Sequence, residues 1–293
     1  MGNILGWLKG LDSVCEGLHP TTVLPEIRTT CKEYNMNPQP IETHTGTVVA
    51  QDKKGRGGQS ASLLVTEKRK RANKAFTVAT YNVRTLNNST TSQVTVSHKI
   101  QQIITGCETN NISIVAIQEH RLKTTSDINF EKYGSWTLAH TNSSHECHGV
   151  ALLYDKEIGS LVTSVTRKSN RLIALHIIGN PKISIISAYA PTEIAEDATK
   201  DSFYEELKEL LSSIPSHTVT ILAGDFNARL GVDSHSTFNK IIGRSCFHES
   251  TNDNGHRLIE LCETSELRPL HTHFANRKSR LSTYRPKRKI LPD

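Results

Sequence analysis

The sequence predicts an α/β protein built as a sandwich, not as an open doubly wound sheet. From residue 76 onward, short apolar runs alternate with stretches whose apolar residues recur at helical spacing. Several of the runs between 148 and 190 follow one another without an intervening helix, which favours antiparallel neighbours over βαβ crossovers. Three of the apolar runs end abruptly in polar side chains. With 36% hydrophobic residues in 293, a sizeable core is possible, and no apolar run approaches the roughly 18–20 residues of a membrane span.

The elements follow in order. Residues 76–81 read as a strand that enters a loop at Asn82. Val96, Ile100, Ile103, Ile104 and Cys107 mark one face of a helix. Residues 112–117 form a short apolar strand ending in Gln118 and Glu119, and further strands are read over 149–154, 171–178 and 183–190. Phe203, Leu207, Leu210, Leu211 and Ile214 give a second helical stripe. Residues 218–223 are a strand running straight into Gly224-Asp225-Phe226-Asn227. Residues 255–267 read as a helix, 268–274 as a strand, and Asp233 and His235 as part of a polar loop.

Residues 1–75 show no sustained period and are punctuated by prolines and by Lys-Lys-Gly-Arg-Gly-Gly. They read as a largely unstructured leader with a short amphipathic piece at its start, which leaves 76–293 as the folded domain. The net charge of +6 sits in the flanks: +4 in 1–75, −4 in 76–275 and +6 in 276–293. That distribution excludes a body coated with positive charge. The basic runs at 68–71 and 285–289 suit polyanion attraction or nuclear import. Six cysteines with no C-x-x-C pair, in a chain long enough to fold without staples, imply reduced thiols in an intracellular protein. No His/Cys spacing matches a zinc finger.

The chemistry is read from the strand ends, where a rigid sheet can hold polar groups at the solvent boundary. The first strand ends in Asn82 and Arg84, the second in Glu119 and Arg121, the third in Asp225, Asn227 and Arg229; Tyr189 lies in a fourth such segment, Tyr-Ala-Pro-Thr. Such a set suits phosphoester hydrolysis. A hard divalent ion, Mg²⁺ (or Mn²⁺), takes one or two carboxylates and keeps waters and substrate oxygens, so Glu119 is the candidate metal ligand with Asn82 beside it. Asp225 would orient or deprotonate the attacking water, while Asn227 and Tyr189 would donate to phosphate oxygens as charge builds up. Arg84, Arg121 and Arg229 are the candidate nucleic-acid contacts. Singly, each motif has an ordinary explanation: Gly-Asp-x-Asn is often an Asx turn after a strand, and Tyr-x-Pro a turn with a packed ring.

Together and in this order, TYNVRT, IQEHRL, HGVALLYD, SAYAPT and GDFNARLG resemble the endonuclease/exonuclease/phosphatase superfamily over about two thirds of the chain. The segment 252–274 resembles the branch that contains non-LTR retrotransposon endonucleases and craniofacial-development-protein-2-like proteins. The resemblance implies a DNase I-like, four-layer α/β sandwich with two packed sheets, and the same roles for Glu119, Asn82, Asp225, Asn227 and Tyr189. It also departs from the family pattern. Ser282-Thr283-Tyr284 resembles the family's Thr-Trp strand, but no counterpart of its final Asp-His pair follows, so the domain is expected to lack its last strands. Three functions follow: a DNA endonuclease that nicks a phosphodiester, a phosphatase or phosphodiesterase on another phosphoester, and a non-catalytic remnant. The retrotransposon-like segment favours DNA as partner.

Overall fold

The computed structural model describes residues 3–6, 76–86, 93–124, 126–143 and 148–275. Backbone contacts divide the chain into two units, Met1–Thr29 with Phe76–Asp293, and Thr30–Ala75; the second lies outside the described residues, as do the basic runs at 68–71 and 285–289.

Two sheets form the centre. The first orders its strands β2 (Val78–Asn82), β3 (Ile114–Gln118), β6 (Val150–Asp155), β5 (Trp136–Thr141) and β4 (Ile128–Tyr133). The second orders them β11 (Leu267–Pro269), β1 (Asn3–Gly6), β10 (Val219–Asp225), β9 (Ile183–Tyr189), β8 (Leu172–Ile177) and β7 (Val162–Ser169). Outside the first sheet lies α1 (Gln93–Thr109), and the single turn α2 (Lys156–Gly159) follows β6; outside the second lie α3 (Asp197–Ser213) and α5 (Asp253–Thr264).

The alternation of side chains along the central strands explains the four layers. In β3, Ile114 and Ala116 pack between the sheets, while Val115 and Ile117 pack with Ile100, Ile103, Ile104 and Cys107 of α1. In β8, Ile173 and Leu175 face the inter-sheet core, and Leu172 and Ala174 face Phe203, Leu207 and Leu258 of α3 and α5. Strands covered on both faces read as near-continuous apolar runs, which is why these were legible in the sequence. Full burial of one such Leu or Ile contributes about 1.5–3 kcal/mol.

Several elements differ from the sequence reading. Strand β6 pairs antiparallel with β3 and β5 in the first sheet, so within 148–190 the consecutive antiparallel set is β7, β8 and β9. The expected strand over 268–274 is confined to Leu267–Pro269 and gives way to a 3-10 turn at Leu270–Thr272. Pro269 lacks an N–H for the ladder, and the His273 amide instead closes the turn onto the Leu270 carbonyl at 2.9 Å. Asp233 and His235 lie in a short helix, α4 (Val232–Thr237), rather than in a loop. Strands β4, β5 and β7 carry no local signature in the sequence. In β4 and β7 every residue is exposed or half-buried, and β5 buries the polar Thr137, His140 and Thr141, so none presents a simple apolar run.

Of residues 1–75, the described piece Asn3–Gly6 is a strand, parallel to both β10 and β11. An interior position gives its backbone groups partners on both sides. The cysteines Cys107, Cys246 and Cys262 are free thiols, the first and last raised to about 12 chiefly by burial. No helix among the described residues is long and apolar enough to cross a membrane.

Candidate active site

Asn82 closes β2 and Glu119 immediately follows β3; these strands are parallel neighbours with Asn82 opposite Gln118. Asp225 closes β10 and Tyr189 closes β9, again parallel neighbours with the two residues in register. Both pairs therefore leave their sheets at carboxyl-terminal strand ends, and the two ends meet. The Asn82 amide nitrogen donates to Glu119 Oε1 at 2.6 Å and to Asp225 Oδ2 at 2.9 Å. Those two carboxylate oxygens consequently stand no more than about 5.5 Å apart, the two bonds laid end to end. Only a donor can face two carboxylates, so the nitrogen side of the amide is assigned by its partners. Its oxygen accepts the Arg84 amide at 3.0 Å, an Asx turn that starts the following loop.

The loops leaving these strands are held in unusual backbone conformations. Among the described residues seven non-glycine residues have positive φ, and five of them are Arg84, Thr85, Glu119, Arg121 and Asn227. Such geometry costs free energy and persists where surrounding contacts over-determine it. Those contacts are visible. The Asp225 carboxylate accepts the Asn227 amide at 3.0 Å, and the Asn227 side chain donates to the Ala190 carbonyl at 3.0 Å. At Gly224 an added Cβ would lie 2.0 Å from the Ala188 carbonyl oxygen, so glycine alone allows β10 to approach β9 this closely just before Asp225.

Beneath the site a buried polar ladder joins the sheets. Thr80 donates to Gln118 Oε1 at 3.1 Å, Gln118 donates to Ser187 Oγ at 3.1 Å, and Ser187 donates to the Ile117 carbonyl at 3.1 Å. His120 is wholly buried behind Glu119, with Gly149 so close that a Cβ there would sit 2.6 Å from the imidazole. Burial, then the neighbouring His140, push its pKa down to about 3. A neutral ring accepting the Leu122 amide at 2.9 Å is thus part of the loop's foundation.

Tyr189 is buried, with its phenol in hydrogen-bond reach of Glu119. Burial first, then the charges of Glu119 and Asp225, hold the phenol well above its ordinary range, while Arg171 opposes them. Arg171 lies 5.2 Å over the Tyr189 ring, donates to the Tyr189 carbonyl at 3.1 Å and bonds His148 Nε2 at 2.7 Å. Neither Arg171 nor His148 was picked out from sequence as a site residue; both stand at the beginnings of strands, and the available signal was only that each precedes an apolar run.

The three arginines expected to meet nucleic acid differ. Arg84 and Arg229 are exposed on the loops that leave Asn82 and Asp225. Arg121 instead turns its guanidinium to Glu119 Oε2 at 3.1 Å, with its side chain 34% exposed.

The oxygen-rich centre fits a hard divalent cation. Glu119 and Asp225 supply two carboxylates, Asn82 Oδ1 keeps a second lone pair, and such an ion completes its shell with water and substrate oxygens. No cluster of three or more His, Cys, Asp or Glu side chains among the described residues is placed to hold a metal, so a closed zinc-type cage is not what the site offers.

The two sheets converge at strand ends that bring together paired carboxylates, amides and a phenol, groups whose chemistry suits a phosphoester. The chain belongs to the endonuclease/exonuclease/phosphatase family, whose model matches residues 79–286. It is 28% identical over 210 residues to craniofacial development protein 2 of Bos taurus and 27% identical over 210 residues to that of Tragulus javanicus. Each match covers 71% of this chain but only 33% and 34% of the relatives, so the chain spans about a third of their length. Among solved structures it is similar to the 3′ phosphatase NExo from Neisseria bound to a product DNA hairpin, at 16% identity and TM-score 0.42, covering 64% of this chain and 70% of that one. It is also similar to CdtB, the biologically active subunit of cytolethal distending toxin, at 22% identity and TM-score 0.35, covering 55% and 71%.

Proposed function

We propose that this protein is a Mg²⁺- or Mn²⁺-dependent phosphodiesterase that nicks DNA. The observation that carries the reading is the bridge of Asn82 between Glu119 and Asp225, which gathers two carboxylates from different sheets at one solvent-facing point. Bound there, the cation would supply Lewis-acid stabilisation of phosphate charge. Glu119 is its ligand, with Asn82 beside it and Arg121 steadying the far carboxylate oxygen. Asp225 orients the attacking water and takes its proton; the Asn82 donor and the Asn227 backbone amide hold that carboxylate in one rotamer. Asn227 retains a side-chain N–H beyond the one given to Ala190, and Tyr189 keeps its phenolic proton, so both can donate to the phosphate as charge spreads over its oxygens. Arg84 and Arg229, exposed on neighbouring loops, contact the phosphate backbone, and Arg121 contributes there when released from Glu119.

DNA is preferred over other phosphoesters because residues 252–274 resemble the retrotransposon endonuclease branch, from which we take the domain to derive. The basic runs at 68–71 and 285–289 support a nuclear location, to be tested by replacing both with alanine and following a tagged protein.

The test is nicking of supercoiled plasmid with Mg²⁺, with and without chelator, beside phosphate release from an inositol phosphate. The expected result is metal-dependent nicking that falls on the order of 10²–10³-fold in Asp225→Asn and Glu119→Gln. Phosphate release without nicking would reassign the substrate. Nicking that survives Asp225→Asn would remove the site.

A further inference from the structure

We propose that Asn252 is a positioning residue that sets the distance between the two phosphate-facing loops, those carrying Tyr189 and Asn227; this rests on the phosphodiesterase reading. Asn252 caps α5, its Oδ1 accepting the Gly255 amide at 2.9 Å, and capping alone would explain an Asn here. The side chain does much more. The same oxygen accepts the Arg229 amide at 2.7 Å, and the amide nitrogen donates to the Asn227 carbonyl at 3.1 Å and to Glu193 Oε2 at 2.6 Å. Both lone pairs and both N–H groups are used, which is the full capacity of an amide.

Two of these four bonds clamp residues 227 and 229, on either side of Ala228, and so brace the positive-φ conformation of Asn227. A third reaches the other loop. Glu193 follows the Tyr189-Ala190-Pro191 segment, and its carboxylate also accepts the Asp253 amide at 3.1 Å. Asn254 adds a bond of 3.0 Å to the Pro191 carbonyl. At Gly255 an added Cβ would lie 2.2 Å from the Arg229 carbonyl oxygen, so the start of α5 is seated directly on the loop. The amino-terminal turn of α5 is thereby a common anvil for the segments after β9 and β10, and Asn252 is the side chain that touches both.

The chemistry distinguishes an amide from its near relatives. Serine can still cap the helix but cannot also donate to two acceptors. Aspartate keeps the acceptor side but turns a carboxylate oxygen toward Glu193 and the Asn227 carbonyl, a repulsion that protonation relieves.

The experiment compares the full chain with Asn252→Ser and Asn252→Asp by thermal melting, by hydrogen exchange at residues 226–230, and by plasmid nicking with Mg²⁺. For Asn252→Ser, exchange at 226–230 should accelerate by about 10-fold or more while α1 and β3 keep wild-type protection. Its kcat should fall about 10–100-fold with little change in KM, as expected when donors are displaced rather than removed. The activity of Asn252→Asp, divided by that of wild type at each pH, should rise as pH falls. Unchanged exchange at 226–230, or acceleration spread evenly over the chain, overturns the proposal whatever the nicking assay shows. If exchange rises locally but the wild-type chain cuts no DNA, the clamp stands and the DNA-nicking reading falls.

Discussion

Asn82 and Asp225 belong to different sheets and stand 143 residues apart, yet the Asn82 amide donates to the Asp225 carboxylate at 2.9 Å while its second N–H serves Glu119. Two carboxylates this close repel, and the amide offers a donor to each of them. Asn82→Asp inserts a third negative group and removes both donors. Nicking should drop by about 10²-fold or more. Circular dichroism establishes that the variant is folded; a folded Asn82→Asp with wild-type kcat would show that the bridge is dispensable.

Arg171 meets Tyr189 through both ring and backbone, so lysine is not an equivalent replacement. A lysine ammonium cannot bond the carbonyl and His148 with one planar fork. Arg171→Lys should lower kcat about 10-fold, because Tyr189 loses its fixed orientation. Arg171 also opposes the upward push on the phenol, so Arg171→Gln should move Tyr189 ionisation still higher. An ultraviolet difference titration against Tyr189→Phe isolates that phenol, and a downward movement would contradict the assignment.

Gly224→Ala tests the close approach of β9 and β10. A Cβ at 2.0 Å from a backbone carbonyl oxygen cannot be relieved by a side-chain rotation, so the strands must part. The expected loss is about 2–3 kcal/mol in urea unfolding. Because the displacement falls one residue before Asp225, nicking should fall more steeply than stability. A variant as stable as wild type would mean that the strands separate at no cost.

Acid should destabilise the fold through His120. Its native pKa, about 3, lies below the ordinary 6.5. The unfolded chain therefore binds a proton that the native state refuses, and stability present above about pH 6.5 is lost as pH falls toward about 3. Between about pH 7.5 and about pH 5 this one group should remove on the order of 2 kcal/mol, read from urea midpoints. His271, also held low by burial, at about 4, adds to the slope. His120→Gln should flatten the slope by about one proton. An unchanged slope would place the acid sensitivity elsewhere.

The sequence alone was sufficient for β2, β3, β6, β8, β9, β10 and the two long helices, since strands covered on both faces and helices covered on one leave local signatures of period and composition. It also singled out Asn82, Glu119, Asp225 and Asn227 at or just beyond the ends of apolar runs, and Tyr189 in its Tyr-Ala-Pro-Thr segment. It could not reveal β4, β5 or β7, whose exposed or polar residues carry no such period, nor that β6 would pair with β3 and β5 in one sheet while the strands after it build the other. Arg171, His148, Ser187 and Asn252 were equally invisible as members of one site, for their residue types and local spacing are ordinary. Their partners lie 18, 23, 69 and 25 positions away, in other strands and loops. Local pattern records which face of an element is buried; which elements meet is decided by how two sheets and their helices share one core, and the site exists only where that shared packing brings the strand ends together.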